Sequence, residues 1–113
     1  MKTETRNLSE ENWEPWIDEG YNAASSIMMV PKTEVKAVSC RIIRLEPGGH
    51  TGMHSHERVH YVLALEGLPG LETDTERIKL DILVAVKIVA NVPHRFINNG
   101  DTVALIQVQN LFP

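Results

Sequence analysis

Residues 47–60 read PGGHTGMHSHERVH, a stretch that holds four of the five histidines in the chain and decides how the rest is read. Along a β-strand, residues i and i+2 point to the same side about 6.5 Å apart, so His54 and His56 are expected to close on one metal ion as a chelating pair. His60 has the same parity, and a small kink between Glu57 and Val59 leaves it facing the same interior. His94 follows Pro93, opens a short strand over 94–97 and can supply a fourth ligand from a neighbouring strand. His50 sits in the glycine-rich turn, fits no ligand spacing and reads as a surface residue. Each histidine taken alone is best read as an ordinary hydrogen-bonded residue; the clustering is what points to a metal.

Working outward, short β-rich segments recur at 35–46, 53–66, 71–74, 76–80, 82–90, 94–97 and 102–109. Turn signals separate them at Pro47-Gly48-Gly49, at residues 67–70 and at residues 98–101. Many short strands with no long amphipathic helix predict an all-β fold, a sandwich or barrel. A short helix over 72–82 is the alternative, and the β-branched residues from Ile82 to Val92 would stop it. Residues 1–34 read as an N-terminal arm in front of a barrel domain over 35–113. Its two tryptophans, Trp13 and Trp16, are expected to pack on the barrel or on a second subunit, with a lid as the other reading.

Length and charge narrow the function classes. A chain of 113 residues has room for one core, and a domain this small often gains burial by pairing with a copy of itself, so a homodimer is expected. The net charge of −4, from 15 acidic and 11 basic residues without a basic cluster, argues against nucleic acid as a partner. No stretch approaches the roughly 18 to 20 apolar residues that span a bilayer, and the polar start MKTETRNLSEENWEPW lacks the apolar core of a signal peptide. No membrane partner and a cytoplasmic location are therefore expected. The single cysteine, Cys40, lies in the apolar run VKAVSCRIIRL and reads as a small buried hydrophobe.

The run Gly48-x5-His54-x-His56-x3-His60-x6-Gly67 resembles the first motif of the cupin family at every spacing, with histidine where that motif has glutamate. The stretch Asn91-Val92-Pro93-His94-Arg95-Phe96-Ile97-Asn98 is similar to the end of the second cupin motif. The resemblance implies a single-domain, jelly-roll-like cupin β-barrel. Three positions depart from the family pattern: Val89 stands for proline, Asn91 for glycine, and Leu83 for the glycine that opens the second motif. Asparagine tolerates positive φ better than other non-glycine residues, so Asn91 can keep the turn.

The histidine at position 60 makes the chain resemble a subset of small cupins that bind a metal, often manganese, through four histidines. The implied cofactor is one divalent transition metal per chain, manganese first, with Fe, Ni, Cu or Zn also suited to imidazole. Four neutral ligands leave the ion its full charge, and such cupins are commonly regarded as dioxygenase-like oxidoreductases acting on a small organic molecule. A Lewis-acid isomerase or lyase is the alternative enzyme, and a structural zinc site or ligand-binding barrel the non-enzymatic one. Parity with His94 turns Phe96 toward the pocket, and Arg41 is a candidate anchor for an acidic group. The family's last strand lines the metal pocket, which implies Leu105, Gln107 and Gln109 as pocket residues.

Overall fold

The computed structural model describes residues 3–32 and 37–113. The expected boundary between residues 34 and 35, and the start of the strand expected at 35–46, lie outside the described residues. After a 3-10 turn at Leu8–Glu10 come β1 (Glu14–Pro15), β2 (Asn22–Val30), β3 (Val38–His50), β4 (Val59–Glu66) and β5 (Pro69–Thr73). They are followed by β6 (Arg77–Lys79), β7 (Ala85–Ile88), β8 (His94–Asn98) and β9 (Ala104–Leu111). All pairings are antiparallel, in the order β6-β5-β8-β3-β9-β4-β7, with β2 also on β3 and β1 on β2. The sheet curls over its inner face, as the all-β reading expected. The second half of the segment expected as an arm is thus a strand of this sheet.

Strict alternation builds the inner face. Ser39, Arg41, Ile43 and Leu45 on β3 stand opposite Asn110, Val108, Ile106 and Ala104 on β9. On β4, His60, Val62 and Ala64 stand opposite Asn110, Val108 and Ile106. Cross-strand partners share a face, so these are successive layers of one interior. The lower layers are apolar and close with Leu71, Leu80, Ile88 and Phe96 into the core. Leu45 and Ile106 are fully buried there. The upper layers change character and become the wall of a cavity.

The helix considered over 72–82 does not form. Thr73 at the end of β5 accepts from the Thr75 and Glu76 amides through its hydroxyl and turns the chain into β6. Gly67 shows why its position in the motif needs glycine: it has φ +78°, and a Cβ there would stand 2.6 Å from the carbonyl oxygen of Val103. Asn91 holds the positive φ expected of it, +68°. Leu83 does too, at +70°, a left-handed conformation that a glycine would hold without strain. Cys40 is buried, and burial raises its thiol pKa. Among the described residues no helix is long and apolar enough to cross a membrane.

Candidate metal centre

Three histidines converge at the open end of the interior. His60 stands on β4 between Asn110 of β9 and Ile88 of β7, facing inward. His94 opens β8 opposite Thr73. His56 lies beyond the strands, after which the chain bends at Glu57 and Arg58 into β4, as the expected kink required. Its carbonyl accepts from the Asn91 amide at 2.6 Å, which ties the segment to the left-handed turn before β8. The rings of His60 and His94 are 4.9 Å apart between centroids, and His56 is 5.3 Å from His60 and 5.5 Å from His94. One ring nitrogen from each falls within 4.8 Å of the others.

The electrostatics suit a cation at this point. Among the described residues, both ring nitrogens of His60 are buried without a hydrogen-bond partner, which costs about 1–3 kcal/mol unless something occupies them. His94 donates from Nδ1 to the Val92 carbonyl at 2.8 Å, which fixes the tautomer and presents Nε2 to the centre. Burial, reinforced by Arg58 and the neighbouring histidines, lowers the pKa of His56 to about 4. Burial, with His94 adding to it, lowers His60 to about 4 as well. His94 is also pushed down, chiefly by burial. All three are therefore neutral imidazoles at pH 7, the form that ligates metals. The donor set fits a divalent transition metal.

His54 is placed differently from the expectation. A His54–His56 chelating pair requires strand geometry, but residues 51–58 are irregular apart from one isolated bridge between His54 and His94. The His54 ring turns toward Gly52 and Tyr21, 5.6 Å from the tyrosine ring and 5.9 Å from that of His56. It is exposed and stands outside the triad. The bridge does put its Cβ on the same side as that of His94, through paired backbone bonds of 3.0 and 2.8 Å. His50, at the end of β3, is likewise apart from the cluster, its Nδ1 3.2 Å from the Thr51 carbonyl.

The triad opens into a cavity of about 250 Å³. Arg41 and Phe96 line it. Leu105, Gln107 and Gln109 do not, and this corrects the expectation for the last strand. They pair across from Arg44, Ile42 and Cys40 on the outer face of the sheet, while Val108 and Asn110 turn inward. The strand's apolar parity is the inward one, and the wall becomes polar only at its last position.

Four other wall residues were not singled out from sequence as cavity residues. Trp16 stacks on Tyr21 with ring centroids 4.6 Å apart, and the Arg41 guanidinium lies 4.5 Å over the Trp16 ring. Arg58 donates through Nε to Asn110 at 3.2 Å, and Asn110 donates to the Ser39 hydroxyl at 3.1 Å. Burial and the nearby Arg41 charge lower the Arg58 pKa. Arg58 lies between two metal-spaced histidines in sequence, and Asn110 shares parity with Val108. Those were the available signals.

The family model described as Cupin domain matches residues 41–108. Among solved structures, the polyketide cyclase RemF from Streptomyces resistomycificus superposes with a TM-score of 0.84 at 17% identity, covering 99% of this chain and 81% of that one. A predicted oxalate decarboxylase from Thermotoga maritima gives 0.84 at 16% identity, covering 97% of this chain and 100% of that one. A cupin-superfamily sugar phosphate isomerase from Silicibacter pomeroyi gives 0.81 at 18%, covering 97% and 76%. At these identities the likeness shows the fold. Compared by sequence with curated proteins, the chain has no significant match.

Proposed function

The chain belongs to the cupin family, and from that premise we propose that it is a metal-dependent enzyme acting on a small organic molecule held over His56, His60 and His94. The observation that carries the reading is His60, whose two buried ring nitrogens meet no hydrogen-bond geometry with the described residues. A divalent ion there would supply a Lewis-acid and redox-active centre. The protein's part is to hold three neutral imidazoles around it, to fix the His94 tautomer through Val92 and to wall off solvent with Trp16, Tyr21 and Phe96. His54 is the candidate fourth ligand, reached by rotation of its exposed side chain about a backbone already bridged to His94. Manganese is the first candidate ion.

Within this reading a dioxygenase-like reaction is favoured over acid–base chemistry, because no Asp or Glu is among the described residues that line the cavity. The second reading, a Lewis-acid isomerase or lyase, draws on fold neighbours described as a cyclase and an isomerase. Elemental analysis with X-ray absorption on purified protein, followed by oxygen-uptake assays, tests both. One Mn, Fe or Cu per chain with five or six N/O neighbours, lost in His60→Ala and His94→Ala, is expected. A closed four-coordinate zinc, or metal content unchanged in those variants, would overturn the assignment.

A further inference from the structure

We propose that the cavity takes small organic acids, with Arg41 and Arg58 as the side chains that hold the carboxylate; this rests on the ligand-binding reading above and names its substrate class. Among the described residues, Arg6, Arg44, Arg77 and Arg95 each form an ion pair with a carboxylate. Arg41 and Arg58 form none with the described residues, although both face the same cavity. Each is instead held by uncharged partners. Arg41 lies flat over Trp16, and Arg58 is anchored through Nε to Asn110 and sits 5.4 Å from the Phe112 ring.

That arrangement positions two guanidiniums without neutralising them. The terminal nitrogens of Arg58 make no hydrogen bond within the described residues, and those of Arg41 make none either. Lys32 adds a third positive charge at the rim, its Nζ 4.1 Å from the Phe112 ring centre. Like charges sharing a partly desolvated site repel, and an anion between them removes the repulsion while gaining charge-assisted hydrogen bonds. The planar fork of arginine matches a carboxylate bidentately.

The remaining walls specify the rest of the molecule. At about 250 Å³ the cavity lies below the usual range for drug-sized ligands, so the acid must be small. Trp16, Ile43, Phe96 and Val108 offer apolar surface to a short or flat hydrocarbon body. The histidine triad at the same cavity then meets the part of the acid nearest its carboxylate.

Benzoate and its uncharged isostere benzamide make the test, titrated against protein stripped with chelator and against manganese-loaded protein. Trp16 fluorescence and calorimetry read the binding. Benzoate is expected to bind more tightly than benzamide in both forms, by about tenfold or more. Arg41→Gln and Arg58→Gln should each erase most of that preference, lowering benzoate affinity far more than benzamide affinity. Arg41→Lys and Arg58→Lys, which keep the charge, should retain part of it, and they decide the matter where a glutamine variant fails to fold. Equal affinity for the two probes, no binding of benzoate or succinate, or unchanged benzoate affinity in the arginine variants would overturn the proposal. Displacement of benzoate by lower concentrations of inorganic phosphate would overturn it in favour of phosphate esters. Because the stripped protein is titrated separately, loss of the metal reading leaves the acid-binding result standing, and the reverse also holds.

Discussion

From Val38 opposite Leu111 to Leu45 opposite Ala104, every residue of β3 faces a partner on β9. Residues 51–58, which carry His54 and His56, are tied to the barrel mainly at Thr51, His54 and His56. Both regions border the same cavity. The ladder gets its shape from alternation, each inward residue backed by a cross-strand neighbour on the same face. The irregular segment gets its shape from contacts specific to single residues, such as the Asn91 amide on the His56 carbonyl. Freed from strand geometry, it can bring His56 to the triad and send His54 elsewhere, which a regular strand with period two could not do.

The largest effect should come from breaking the ladder's own packing. Leu45→Ala removes a fully buried side chain from the apolar end and should cost about 2–5 kcal/mol in urea unfolding. If the two ends are as separate as their packing implies, the folded fraction of that variant still binds metal at the wild-type stoichiometry. Metal loss in proportion greater than unfolding would show that the ends are coupled.

The cavity end breaks by protonation instead. In chelator-stripped protein, His56 and His60 have folded pKa values of about 4, below the ordinary 6.5 of an unfolded chain. Above pH 6.5 both states are neutral and these groups contribute no pH dependence. Between pH 6.5 and 4 the unfolded state binds more protons, so stability falls as pH falls, and the loss is complete below 4. With solvent access to the cavity allowed for, the decline is on the order of 2 kcal/mol, read from urea midpoints across that window. His60→Ala should flatten part of it. A decline of the same size in that variant would assign the effect to other groups.

The smallest effect should lie far from both regions. Leu83 is exposed and holds φ +70° in the turn that the Val84 amide closes onto the Asp81 carbonyl at 3.1 Å. Leu83→Gly relieves the left-handed strain and should raise stability by about 1 kcal/mol, with metal content unchanged. No gain in the thermal midpoint would mean that the added freedom of the unfolded glycine cancels the relief.

How much of this was legible in the sequence differs by residue. His94 could be placed because it opens a short strand that does form, and His60 because the kink expected between Glu57 and Val59 precedes a strand that begins at Val59. His56 was identified by an argument whose strand premise fails, and His54 shows the failure, since its side chain depends on Gly52 and Tyr21 and not on period. Phe96 was read from its parity with His94, whereas Arg41 was singled out by its charge alone, as an anchor for an acidic group. Leu105, Gln107 and Gln109 were put on the wrong face because family likeness was set above the plain apolar alternation of Ala104, Ile106 and Val108. Trp16 and Tyr21 carried no readable period, and their place in the wall depends on their mutual stacking and on the Arg41 guanidinium over Trp16.

That last contact bears on how the protein folds. Residues 16–21 and residues 108–112 both wall the cavity, so the site joins segments separated by most of the chain. Closing a loop that long carries an entropic cost, whereas β2 pairs with β3 across a short connection. A chain whose β9 has not yet joined β3 and β4 lacks both the core residue Ile106 and the wall residues Val108 and Asn110. The pocket and the core are thus completed by the same long-range closure.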